Sequence, residues 1–253
     1  MTVSPPAGNA RPEEPLDWFE ESFGEDYLSL YPHRDETEAE RVIDLIAERV
    51  AGVRVQRALD LACGAGRHSR LLGERWWTVG LDLSRVLLRV ARKGSPADPF
   101  VRADMRLLPF RERAFDLVVN LFTSFGYFGD DEEHLRVMHE VAAVIRPGGM
   151  FVIDFLNAQQ VRSNLVPRDE KSMNGLLVEQ LRSISDDGRY VEKTIRLAAK
   201  GKQFLERVRL FSPTDLEAML GAAGFTVQER AGNYDGSPWS AEAPRIILFA
   251  VRS

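Results

Sequence analysis

The segment Leu59-Asp60-Leu61-Ala62-Cys63-Gly64-Ala65-Gly66-Arg67 joins an acid, two closely spaced glycines and a base at the end of a short apolar run, where a helical pattern opens. Glycines there let the backbone approach a ligand closely, and the first turn of a helix offers unpaired N–H groups. The bland alternative is a tight turn that binds nothing. A second acid, Asp82, ends Val79-Gly80-Leu81-Asp82-Leu83-Ser84, sixteen residues after Gly66. A carboxylate at that place can accept hydrogen bonds from both hydroxyls of a ribose. It can also be an acid favoured by the helix dipole alone. A third, in Arg102-Ala103-Asp104-Met105, can accept from an exocyclic amine, with Met105 offering its backbone N–H and an apolar wall; a solvated loop acid reads the same. Cys63 sits where a helix N-terminus can lower a thiol pKa, but a small residue in a crowded turn is the preferred reading.

Four histidines are available for proton transfer: His33, His68, His134 and His139. His33 is the best base candidate, because it lies in the aromatic-rich stretch Phe23-Gly24-Glu25-Asp26-Tyr27-Leu28-Ser29-Leu30-Tyr31-Pro32-His33-Arg34. That stretch reads either as a flap over a reactive site or as packing against a sheet edge. His134 and His139 are five apart, not the i, i+4 spacing of a metal pair, so packed or solvated roles are expected. No other His/Cys/carboxylate set has metal-ligand spacing. Arg85, Arg89, Arg92 and Lys93 read as a solvated helix face.

The elements that must hold these groups follow from periodicity. Helical spacing covers 35–51, followed by strands at 55–62, 77–82, 100–103 and 115–121, with short helices at 66–74 and 84–93 between the first three. An amphipathic helix at 131–146 is stopped by Arg146-Pro147-Gly148-Gly149, and Met150–Phe155 is a fifth strand. Alternating strands and helices imply a parallel sheet covered on both faces. Asp187-Gly188 and Lys200-Gly201 then read as hairpin turns of an antiparallel meander at 176–184, 189–198 and 203–211. Ser212-Pro213-Thr214-Asp215 starts a last helix that stops at Gly224, before strands at 225–230 and 245–252.

The chain has 253 residues, 44% hydrophobic and 28% charged, with a net charge of −5. These are the proportions of an ordinary globular chain, large enough for one elaborated domain. The acidic balance argues against a nucleic-acid surface. One cysteine excludes an internal disulfide. No apolar run approaches the roughly 20 residues of a membrane span, and no signal-peptide pattern opens the chain, so a cytoplasmic location is expected. Residues 1–15 carry Pro5, Pro6, Pro12 and Pro15 and read as a disordered tail, 16–34 as the flap segment, and 35–253 as one domain containing the 176–211 meander.

Taken together, the three successive strand ends resemble the class I S-adenosylmethionine-dependent methyltransferases of small-molecule type. Asp60/Gly64/Gly66, Asp82 and Asp104 match the first three motifs. Phe115-Asp116-Leu117-Val118-Val119-Asn120 is similar to the fourth, Arg146-Pro147-Gly148-Gly149-Met150-Phe151 to the turn before the fifth strand, and Gly224-Phe225 fits after the last helix. The resemblance implies an α/β fold, a doubly wound Rossmann-like seven-stranded sheet with the meander inserted. It implies S-adenosyl-L-methionine as cofactor: Ala62, Gly64 and Gly66 under the methionine part, Asp82 on the ribose, Leu83 against the adenine, Asp104 and Met105 at its edge, and Asn120 and Leu121 near the sulfonium. Arg67, or Arg34 with Tyr31, would anchor the cofactor carboxylate.

On the acceptor side, Asn120-Leu121-Phe122-Thr123 departs from the Asn/Asp-Pro-Pro-aromatic tetrad of nucleobase amine methyltransferases. Thr123-Ser124-Phe125-Gly126-Tyr127-Phe128 instead resembles bacterial small-molecule and sugar amine methyltransferases, and the tyrosine-bearing N-terminal segment is similar to that of amino-sugar and glycine-type N-methyltransferases. The expected acceptor is therefore a small molecule, nitrogen favoured over oxygen, with no nucleic acid or membrane partner and a homodimer possible. Tyr31, His33 and Tyr127 are the candidate catalytic residues; Ser124 and Tyr234 are further candidates to orient the acceptor. Two readings stand beside this one. A non-catalytic binding or regulatory protein would keep the same cofactor motifs. A nicotinamide-dependent oxidoreductase would want a third glycine where Ser69 stands.

Overall fold

The computed structural model describes residues 36–173 and 176–253. The tail and flap expected at 1–34, with Tyr31, His33 and Arg34, lie outside the described residues.

Helix α1 (Glu36–Arg49) buries Ala39, Val42, Ile43, Leu45 and Ile46, one face of the helical spacing. Then come β1 (Arg57–Leu61), α2 (Arg67–Gly73), β2 (Trp77–Asp82), α3 (Arg85–Gly94), β3 (Phe100–Arg102), β4 (Phe115–Asn120), α4 (Asp131–Val144) and β5 (Ile145–Leu156). A short α5 (Ala158–Ser163) leads into β6 (Arg168–Met173), β7 (Leu176–Ile184), β8 (Tyr190–Leu197) and β9 (Lys202–Arg209). The chain closes with α6 (Pro213–Ala222), β10 (Phe225–Ala231) and β11 (Arg245–Arg252).

Seven strands form one sheet in the order β10-β11-β5-β4-β1-β2-β3. β1 to β5 are parallel, while β11 runs antiparallel to both β5 and β10. Burial on both faces explains the continuous apolar runs: Leu59 and Val118 pack on one side, Ala58, Leu117 and Val119 on the other. The strand order turns back between β1 and β4. In open α/β sheets, the crevice beyond the strand ends at such a switch point is where ligands bind.

Three expectations change. The helix before β5 stops at Val144, and Ile145 is already extended and pairs with Phe115 before a register shift to Leu117 and Met150. Pro147 disfavours helix at the residue before it. Gly149 belongs to the strand because a Cβ there would lie 2.6 Å from the Ile145 side chain and 2.8 Å from Asp116 O. Second, the meander has four strands, in the order β6-β7-β8-β9. β6 escaped notice because Arg-Asp-Glu-Lys-Ser-Met lacks apolar alternation, as suits a charged edge strand. Third, α5 was not expected; Asn157 caps it by accepting from Gln159 N. The two glycine turns are where the sequence put them, with Gly188 and Gly201 at positive φ.

Candidate active site

The glycine turn crosses the end of β1 in a left-handed path: Ala62, Gly64 and Gly66 all have positive φ. The two glycines differ in what surrounds them. A Cβ on Gly66 would sit 2.8 Å from Ala91 Cβ and 3.3 Å from the Phe100 ring, so Gly66 is required for packing of α2 against α3. A Cβ on Gly64 would find only Leu87 Cδ1, at 3.9 Å. Gly64 therefore faces open space at the switch point, a cradle that glycine keeps clear.

Two acids stand behind this cradle. Asp82 is half-buried at the end of β2; its Oδ2 accepts from Gly64 N at 2.8 Å and its Oδ1 from Ser84 N at 2.7 Å. Each oxygen keeps a lone pair for a ligand diol. Burial raises its pKa, against the two backbone N–H bonds. Asp60 is buried in β1 and accepts from Ser69 Oγ at 2.6 Å. Burial, with the nearby Asp82 charge adding to it, pushes its carboxyl up to about 7. Ser69, which breaks the third-glycine pattern, thus has a structural use as the partner of Asp60.

Cys63 does not have the lowered pKa that its helix N-terminus would allow. Burial and the charges of Asp60 and Asp82 push its thiol up, and a Cβ on Gly80 would come within 2.9 Å of its sulfur. It is the small residue of a crowded turn.

At the end of β4, Asn120 is buried and its Nδ2 donates to Leu61 O at 2.9 Å, tying β4 to β1. Its Oδ1, also buried, finds no partner among the described residues. Leu121 is buried beside it. Leu83, Met105 and Tyr127 pack half-buried against the core on the face that carries Leu59 and Leu61. Arg67 opens α2 and its guanidinium lies 5.0 Å from the centroid of the Phe122 ring. Asp104 has a partner that sequence reading did not anticipate. Arg106 binds its Oδ2 through Nε and Nη2, at 3.0 and 2.7 Å, and its Oδ1 through the backbone N–H. Arg106 also bridges to Glu133 at 2.5 Å.

Two acceptor-side candidates are tied up in the fold. Ser124 Oγ donates to Leu121 O, and Tyr234 is buried with its hydroxyl donating to Asp154 Oδ2 at 2.7 Å. Burial and the Asp154 charge hold the Tyr234 phenol far above its ordinary value, so it is no base. His134 is buried against Phe125, Phe128 and Phe211, with Nδ1 donating to Asp130 O at 2.6 Å. Its role is packing, and burial lowers its pKa. His139 is exposed. Sequence reasoning missed Asp154 and Arg245. The available signal was one carboxylate in the apolar run Met150–Phe155 and one arginine opening the apolar run 246–251.

Residues 58–149 match the family described as a methyltransferase domain. The chain is 30% identical over 211 residues to a Streptomyces venezuelae dTDP-3-amino-3,4,6-trideoxy-alpha-D-glucopyranose N,N-dimethyltransferase, covering 79% of this chain and 86% of that one. Among solved structures, the sugar N-methyltransferase KedS8 from Streptoalloteichus superposes with a TM-score of 0.64 at 26% identity, covering 100% of this chain and 98% of that one. A Clostridium acetobutylicum S-adenosylmethionine-dependent methyltransferase shares the fold, with a TM-score of 0.77 at 20% identity over 90% of this chain and 96% of that one. With a relative 30% identical along most of its length, and a glycine turn and two carboxylates gathered at the switch point of this sheet, the chain belongs to the S-adenosylmethionine-dependent methyltransferases.

Proposed function

We propose that this protein methylates the amino nitrogen of a small sugar-like acceptor. The observation that carries the reading is the 30% identity to an amino-sugar N,N-dimethyltransferase over 79% of this chain, a share too large to be confined to either sheet.

The residues present fit the cofactor. The clear space over Gly64, the spare lone pairs of Asp82 and the unpartnered Asn120 Oδ1 are features of the kind such a group needs. Ala62, Gly64 and Gly66 would pass under the methionine part, Arg67 would meet its carboxylate, Asp82 the ribose, Leu83 the adenine face, and Met105 with Asp104 the adenine edge. Asn120 Oδ1, with Leu121 beside it, would face the positive sulfonium, in the field of the Asp60 and Asp82 carboxyls. When bound, S-adenosylmethionine would supply an electrophilic methyl group, with the neutral thioether S-adenosylhomocysteine as the leaving group. The chain's own task is then alignment and exclusion of water. A neutral amine attacks through its lone pair and releases one proton afterwards; Tyr127 would orient it. His33 as base and Tyr31 as cover belong to the same proposal on sequence grounds.

The acceptor is proposed to be a small molecule rather than nucleic acid, supported by the missing proline tetrad after Asn120 and the net charge of −5. The meander would wall its pocket or join two copies of the chain in the cytoplasm.

The test is turnover of dTDP-3-amino-3,4,6-trideoxyglucose and related amino sugars, followed by release of S-adenosylhomocysteine and the mass gain of the sugar. Methylated amine is the expected product. Tight S-adenosylmethionine binding with no turnover of any sugar amine would overturn the acceptor reading and leave the family intact.

A further inference from the structure

Immediately after β4 the backbone does something costly. Phe122 and Thr123 both lie in the left-handed region, at φ 61° and 60°, although neither is glycine. Such conformations persist only where surroundings impose them, and they gather at functional sites. Here the imposing group is a buried network one strand away. Asp154, on β5, has no solvent exposure; its Oδ2 accepts from Phe122 N at 2.8 Å and its backbone carbonyl accepts from Thr123 N at 3.0 Å. Arg245, on β11, is largely buried too. Its Nε donates to Asp154 Oδ1 at 2.7 Å and its Nη2 to Thr123 Oγ1 at 3.0 Å. Both amides of the bend and the Thr123 hydroxyl are therefore held from β5 and β11. The bend joins this network to the cofactor cradle, because the Phe122 ring has the Arg245 guanidinium 5.5 Å and the Arg67 guanidinium 5.0 Å from its centroid. Asn120, with its orphan Oδ1, comes two residues earlier.

We propose that Asp154 and Arg245 are positioning residues. They impose the left-handed bend at Phe122–Thr123 and so fix the Phe122 ring against Arg67, keeping Arg67 and Asn120 in the places from which the cofactor is held. The inference rests on the cofactor assignment and not on the identity of the acceptor.

The experiment is calorimetric titration of S-adenosylhomocysteine into the full chain and into Thr123 variants, whose half-buried site lets the fold survive. Thr123→Val keeps the shape and the β-branching but loses the oxygen that accepts from Arg245. Its affinity is expected to fall about tenfold. Thr123→Asn tolerates left-handed φ and offers a carbonyl oxygen to Arg245, so it is expected to bind within about threefold of wild type. Asp154→Asn, followed by thermal melting, should lose about tenfold or more in affinity, and adding Thr123→Gly should restore most of it because glycine adopts the bend unaided. Equal affinities for Thr123→Val and Thr123→Asn, or no rescue by glycine in a folded Asp154→Asn protein, would overturn the proposal. Wild-type binding without any sugar turnover strikes only at the acceptor reading. No binding by the wild type sinks both.

Discussion

Asp82 and Asp60 show how two carboxyls 22 residues apart in the chain divide one task. Asp82 keeps free lone pairs at the cradle, whereas Asp60 is sealed beneath it with Ser69. Replacing Asp82 with alanine removes two charge-assisted acceptors for the ribose. S-adenosylhomocysteine affinity is then expected to fall about 100-fold by calorimetry. In the wild type the same affinity should weaken on acidification at a pH above the ordinary aspartate range, since burial raises the Asp82 pKa and protonation removes an acceptor. Asp60 makes a separate prediction about stability. Its carboxyl is raised from 3.8 to about 7 on folding, so the folded chain binds the proton more tightly than the unfolded one. The Asp60 contribution is fully present below the unfolded value and is lost as pH rises through about 7. Asp60→Asn should therefore gain on the wild type between roughly pH 4 and pH 8, by up to about 4 kcal/mol for three pKa units. Melting both proteins across that range checks it; a constant difference would exclude the linkage.

Elements carry the second kind of prediction, because α2 and its turn ask different things of neighbouring glycines. Gly66→Ala places a Cβ 2.8 Å from Ala91 Cβ at φ +82°. A loss of about 2–4 kcal/mol in urea unfolding is expected. Gly64→Ala meets nothing nearer than 3.9 Å. It should cost only about 1 kcal/mol of stability, for its positive φ, yet weaken S-adenosylhomocysteine binding by blocking the cradle. Equal effects of the two substitutions on binding would mean that the space over Gly64 is not used. At the other end of the chain, Ser212 and Asp215 form a reciprocal capping box on α6 that the tetrad Ser212-Pro213-Thr214-Asp215 announces directly.

At the scale of the whole molecule, the four-stranded sheet is fastened to the loop after β4. Arg209 N donates to Gly126 O at 2.8 Å, the Tyr190 hydroxyl donates to Gly129 O at 3.0 Å, and Arg189 and Arg209 both pair with Asp131. Gly126 is squeezed between Phe155 and Val208, from β5 and β9. If the meander walls the acceptor pocket, Tyr190→Phe should raise the acceptor KM by about fivefold for one lost hydrogen bond while leaving S-adenosylhomocysteine affinity unchanged. A parallel change in both constants would place the meander's influence on the cofactor instead.

Local chemistry determined much of this by itself. Alternating apolar strands and helices, glycine turns and caps need only neighbours within a few residues to be read, and they place Asp60, Gly64, Gly66, Asp82, Asp104 and Asn120 at successive strand ends. What the tertiary structure decided is what those residues meet. That Arg106 bridges Asp104 to Glu133, that Tyr234 is sealed on Asp154, and that Cys63 is pushed up rather than down depend on burial and on partners brought in from elsewhere. The polar edge strand β6 carries no periodic signal and exists because β7 pairs with it. Asp154 and Arg245 stand 91 residues apart, and the bend they hold at Phe122–Thr123 lies on a third strand end. No spacing rule links such positions, because the pairing of β5 with β4 and β11 is what brings them within hydrogen-bond reach.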